Sequence, residues 1–210
     1  MDADGAALYR WPRTDEGAAN LTPGKVSRNA PGDLVLHTSG QEGNFAGIES
    51  PAQYSHGAFE ARLHVPSRGG KIANWPAFWL LGDDWPTRGE LDAFEGNEGV
   101  DYAAYWHGKT VNGPVSGPTT GPSFSGDGYT GTHVPPKCPG LGPGWHTVGI
   151  SWGPATASVY NDGKHYVTFT RTQDYPMRII VNNTQGFNGL MPYGYPSDLV
   201  VSYVRAWTAT

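Results

Sequence analysis

The chain has 210 residues, a formal net charge of −5, and 14 Lys and Arg residues that form no basic cluster. This excludes the basic footprint of a nucleic-acid binder, and no apolar run approaches the ~20 residues that cross a bilayer as a helix. Thirty Gly and eighteen Pro would suit a disordered chain, but 12% aromatic residues and eight Trp call for a packed interior.

The length suits one all-β domain over residues 1–210, with no internal repeat or linker to divide it. Met1-Asp2-Ala3-Asp4 opens no signal peptide and reads as a start placed before a mature or trimmed domain. Cys138 stands alone and permits no internal disulfide; the expected state is a monomer.

Alternating or β-branched runs predict strands at residues 33–37, 57–65, 72–81, 90–95 and 103–107. Between Asn112 and Gly144 the pattern lapses into Gly, Pro, Ser and Thr. That predicts a long loop over one rim of the sandwich, either functional or simply a mobile surface segment. Strand patterns resume at residues 145–152, 157–160, 166–170, 177–182 and 199–207. Asn161-Asp162-Gly163-Lys164 marks a tight hairpin between two of them. No segment sustains helical periodicity. The expected fold is an antiparallel β-sandwich of the jelly-roll kind with a concave substrate cleft.

Gly89-Glu90-Leu91-Asp92-Ala93-Phe94-Glu95 carries the chemistry. Residues two apart on a strand share a face, so Glu90 and Asp92 project together while Leu91 and Ala93 point into a core. Glu95 breaks this parity, and an ionised carboxylate among apolar side chains would be very costly. A β-bulge at Ala93-Phe94 would restore Glu95 to the acidic face. Three carboxyls would then line one strand, and their repulsion would raise at least one pKa, as a general acid requires. Glycosidic cleavage uses such a pair, one carboxyl at the anomeric carbon and one protonating the leaving oxygen. The alternative is a solvated acidic edge strand or a cation site. Upstream, Trp75 and Trp79 share a face at strand spacing, where indoles either stack on sugar rings or fill a core.

At these residues the sequence resembles glycoside hydrolase family 16. The family pattern Glu-x-Asp-x-x-Glu after a Trp-Pro-Ala-Phe-Trp strand stands here as Glu90 to Glu95 after Trp75 to Trp79. Tyr54 to Arg62, Gly144 to Trp152, Tyr160 to Lys164 and Leu199 to Trp207 resemble further family strands, and the first 25 residues match poorly. The bulged form is that of the laminarinase-like branch. The resemblance implies Glu90 as nucleophile, Asp92 as its electrostatic helper and Glu95 as general acid/base. It also implies sugar contacts from Glu49, Trp79, Tyr105, His107 and Asn182, with Trp75 beside them. Glu49 as a surface carboxylate and His107 as a structural histidine remain open. Thr184 replaces an aromatic found in some members, and Ser202 replaces an Asp that helps hold a structural Ca²⁺ in many. Apart from His107, the other six His show no metal-ligand spacing, so no transition metal or cofactor is expected, and only a structural Ca²⁺, made doubtful by Ser202, is left open.

The resemblance implies a retaining endo-glycoside hydrolase cleaving β-1,3 or mixed β-1,3/1,4 glucans, secreted because its substrate is a polymer. The rivals are a same-fold hydrolase or transglycosylase acting on another polysaccharide such as agar, and a carbohydrate-binding module without catalysis.

Overall fold

In the runs 57–65 and 144–152 the apolar residues fall at alternate positions, and those positions are the buried ones: Phe59, Ala61, Leu63 and Val65 in the first, Val148, Ile150 and Trp152 in the second. A strand that is apolar on one face buries that face against another sheet. The computed structural model describes residues 25–41, 46–83, 88–97, 99–108, 115–116, 123–125, 129–134, 141–171, 175–184 and 194–208. Among them the strands are β1 (Val26–Arg28), β2 (Leu34–Thr38), β3 (Ala46–Tyr54), β4 (Gly57–Val65), β5 (Ser67–Arg68), β6 (Lys71–Ile72), β7 (Trp75–Leu81) and β8 (Glu90–Asn97). They continue as β9 (Val100–Gly108), β10 (Val115–Ser116), β11 (Ser123–Ser125), β12 (Tyr129–Val134), β13 (Gly144–Trp152), β14 (Thr156–Asn161), β15 (Lys164–Thr170), β16 (Met177–Thr184) and β17 (Ser197–Trp207).

The pairings are antiparallel and build two large sheets. One has eight strands in the order β1-β2-β17-β4-β13-β14-β15-β10, and the other has seven in the order β11-β12-β9-β8-β7-β16-β3. Phe59, Leu63, Val148 and Phe169 of the first share one buried cluster with Phe78, Leu91, Phe94, Ala103 and Val181 of the second. The expected jelly-roll sandwich is what forms. The hairpin at Asn161-Asp162-Gly163-Lys164 also forms, with Asp162 at φ 49° and Gly163 at φ 74°, the left-handed pair that a two-residue turn of matching twist needs.

Three expectations are corrected. The predicted strand over 72–81 is interrupted at Asn74, which is fully buried at φ 59° and donates from Nδ2 to the Tyr195 carbonyl at 2.8 Å. Asn tolerates this region better than most residues, and its amide bond holds the chain there. Strand β3 has no sequence counterpart, because Pro51 and a bulge obscure its period. Being the sheet's edge, it tolerates both. The stretch 112–144, read as strandless, contains β10, β11 and β12, and β12 pairs with β9 from Tyr129↔Gly108 to Val134↔Ala103. Intrinsic β-propensity was a poor guide there, since pairing to an existing edge decides the outcome.

Candidate active site

The site grows from the central strand of the seven-stranded sheet. Against β7, Asp92 pairs with Trp79 and Phe94 with Phe78, which leaves Ala93 without a partner. Against β9, Asp92 pairs with Ala104 and Glu95 with Tyr102, so Ala93 and Phe94 together oppose Ala103. Leu91, Ala93 and Phe94 are all essentially buried in the core cluster. Two successive residues thus face inward, and Glu95 returns to the face of Glu90 and Asp92. This is the bulge that the sequence demanded. Two glycines frame the strand. Gly89 holds φ 77° just ahead of Glu90, and a Cβ on Gly96 would stand 2.7 Å from Ile72 and 2.9 Å from Pro76.

The three carboxyls interact. Asp92 is 4% exposed and Glu95 9% exposed, while Glu90 is half-buried. Burial pushes the Asp92 carboxyl well above the usual range, and the nearby Glu90 charge and a hydrogen bond with Glu90 push it further; the Trp106 indole opposes them. Burial likewise raises Glu95 well above its ordinary value, helped by the Asp92 charge and opposed by a hydrogen bond from Trp75. A carboxyl kept protonated near neutral pH can deliver a proton. A less buried carboxylate beside it can attack an electrophilic carbon.

Indoles surround this acid line. Trp75 and Trp79 both lie half-buried on β7, at the spacing that gives them one face. Trp79 Nε1 donates to Asn182 Oδ1 at 2.6 Å, fixing Asn182 on the same face from β16. Glu49, on the far strand β3, is level with Trp79 through Ile180 and is ion-paired to Arg178. Glu49, Trp75, Trp79 and Asn182 are therefore gathered on the carboxylate side.

Tyr105 is not. It is 3% exposed, and its ring packs in the interior, 6.0 Å from Phe169 of the opposite sheet. Strand parity decides this: Trp106, not Tyr105, stands cross-strand from Glu90 and donates Nε1–H to Asp92 Oδ2 at 3.0 Å. Sequence reading missed Trp106, and counting parity back from the β8–β9 register would have found it. His107 pairs with Thr130 in the β9–β12 ladder, and its side chain lies outside the described part of the structure. Ser202 is the extra residue of a bulge in β17 and is exposed.

Trp106→Phe tests the new contact. It keeps an aromatic ring but removes the N–H, and hydrogen bonds to charged groups are worth roughly 1.5–3 kcal/mol. We expect kcat on the chain's substrate to fall about 10-fold or more and the pH profile to move. An unchanged kcat and profile would show that the indole does not hold Asp92.

A jelly-roll sandwich with carboxyls and indoles converging on one sheet face is the arrangement that glycosidic cleavage uses. Residues 33–112 match the family model described as "XgeA-like, catalytic GH16 domain". The beta-glucanase of Rhodothermus marinus is 27% identical over 184 residues, covering 74% of this chain and 58% of that protein. An endo-1,3(4)-beta-glucanase of Emericella nidulans is 41% identical over 63 residues, covering 30% of this chain and 10% of that protein. The chain thus spans less than two thirds of the length of these relatives. The fold superposes on the laminarinase catalytic domain of Thermotoga maritima with a TM-score of 0.63, 21% identity, and coverage of 90% of this chain and 82% of that one. A Bacteroides ovatus GH16 structure in complex with a G4G4G3G product gives a TM-score of 0.66 at 19% identity, covering 91% and 90%. In these comparisons the chain is similar to laminarinase-like proteins of glycoside hydrolase family 16.

Proposed function

We propose that the chain is a retaining endo-β-glucanase that cleaves internal β-1,3 or mixed β-1,3/1,4 linkages by double displacement. The observation that supports this most is the bulge at Ala93-Phe94, because it sets Glu90, Asp92 and Glu95 on one face. In this reading Glu90, the most exposed of the three, attacks the anomeric carbon. Asp92 steadies it through their hydrogen bond, with Trp106 holding the other side of Asp92. Glu95, whose proton is retained by burial, protonates the leaving oxygen, then takes a proton from the water that releases the sugar. Trp75 and Trp79 supply flat faces for sugar rings, with Asn182 and Glu49 as polar contacts. A polymeric substrate implies that the protein acts outside the cell.

No metal enters these steps. Ser202 offers an exposed neutral hydroxyl on the closing strand, a weaker ligand for a hard cation than a carboxylate. Laminarin, lichenan, xyloglucan and agarose should be compared side by side in chelator, with NMR following the newly formed reducing end. We expect turnover of laminarin or lichenan with the β-anomer appearing first. An α-anomer first would overturn the mechanism. Cleavage of agarose alone would overturn the substrate, and binding without turnover on every glucan would favour the carbohydrate-binding rival.

A further inference from the structure

The carboxylate face carries a second charged assembly at its far edge. Arg178 of β16 lies opposite Leu81 of β7, and Leu81 lies opposite Glu90 of β8, so Arg178 shares the face of the carboxyls two strands away. Its Nε stands 2.9 Å from Glu49 Oε1, with the side chains 31% and 10% exposed. The same Nε is 3.4 Å from Asp83 Oδ1, on the segment that follows β7. Its Nη1 donates to the Pro51 carbonyl at 3.2 Å. Gln53 Nε2 donates to the other Asp83 oxygen at 2.5 Å.

The local backbone is arranged around this guanidinium. Arg178 pairs with Gln53 and Ile180 with Glu49, so Ser50, Pro51 and Ala52 together face Ile179. The Ser50 hydroxyl accepts the Ile179 N–H at 2.9 Å and donates to the Ala52 carbonyl at 2.7 Å, which stabilises the bulge. Arg178 then takes the Pro51 carbonyl with one nitrogen and Glu49 with another. A planar fork can do both, whereas a lysine ammonium presents a single point charge. Asp83 is the weaker partner, being farther away and about half exposed.

Glu49 is level with Trp79 and Asp92, on the third strand along from Asp92. At a strand spacing of about 4.8 Å this is roughly 14 Å. That is too far to touch the ring being cleaved, but it lies in line with a chain laid across the strands. We propose that Arg178 is a positioning residue: by fixing Glu49 it sets affinity for a sugar ring bound further along the same glucan chain. This rests on the glucanase reading, with Glu49 as a sugar contact. A purely structural edge pin would instead affect all substrates alike.

The test is chain-length dependence. KM and kcat are measured for Arg178→Gln, Arg178→Lys and Glu49→Gln on β-glucan oligosaccharides of increasing length and on a short aryl β-glycoside, with Tm recorded for each variant. Arg178→Gln should raise KM on the long oligosaccharides about 10-fold with little change in kcat, and leave the short substrate unaffected. Arg178→Lys should recover only part of the loss. Glu49→Gln should reproduce it, and Arg178→Gln in that background should add little, since the two act as one unit. An equal loss on long and short substrates, or no dependence on length, would overturn the proposal whatever the change in Tm. Failure of the glucanase reading is distinct, because the native chain would then turn over none of these substrates. Calorimetric binding of the long and short oligosaccharides to native and Arg178→Gln protein reads the site without turnover, and equal affinities would again overturn it.

Discussion

Glu90→Gln should lower kcat on glucan by at least roughly 10⁴-fold, because a neutral amide cannot form the glycosyl-enzyme. Glu95→Ala should lose about 10²–10⁴-fold on glucan and much less on an aryl glycoside whose leaving group needs no proton. The different environments of the two carboxyls motivate the assignment. Glu90 is half-buried and open to an electrophilic carbon, whereas Glu95 is buried beside Asp92, and that burial and charge hold its proton more tightly than usual. With Glu95→Ala, the intermediate on Glu90 should accumulate with an activated substrate. Added azide should then attack it from the face that water uses, giving a β-glycosyl azide of retained configuration. An inverted azide from Glu95→Ala would mean that the two roles are exchanged. Normal kinetics in Glu90→Gln would remove the nucleophile from the scheme altogether.

The acid line was legible because its parity conflict has few physical solutions. A charged Glu95 could not sit among Leu91 and Phe94, so the strand had to bulge, and the bulge is found at Ala93-Phe94. Strands with clean alternation, such as Gly57–Val65 and Gly144–Trp152, were also readable, since one buried face imposes a period of two. What stayed hidden depends on register. Tyr105 and Trp106 are adjacent aromatics, and nothing local says which faces the carboxyls; pairing of Trp106 with Glu90 settles it. Strand β3 was hidden for a related reason, because its bulge and Pro51 erase alternation while Arg178, more than 120 residues away, supplies the compensating contact. Strand β12 gave no signal because partnership with β9, a long-range property, decides its state.

Glu95→Gln should make the folded chain more stable at neutral pH, by several degrees in Tm. The reason is that the native state holds the protons of Glu95 and Asp92 more tightly than the unfolded chain does, both pKa values being raised on folding. Between the unfolded pKa near 4 and the higher native pKa, folding takes up protons, so stability falls as pH rises. The cost is about 1.4 kcal/mol per pH unit across that window for each group, and 1 kcal/mol moves Tm by roughly 2–4 °C in a chain of this size. Gln removes the titration at position 95 while keeping the shape and an acceptor for the Trp75 N–H. The Trp75 hydrogen bond works in the opposite direction, but it ranks below both burial and the Asp92 charge and cannot reverse the sign. The gain should therefore grow as pH rises towards the native pKa and shrink to nothing near pH 4, where the native carboxyl and the unfolded one are both largely protonated. Thermal melts of the native chain and Glu95→Gln from pH 4 to 8 decide the matter. A gain that does not vary with pH would place its origin in packing. A loss at pH 7 would mean that the protein binds Glu95 as an anion, and Glu95 could not then serve as the proton donor.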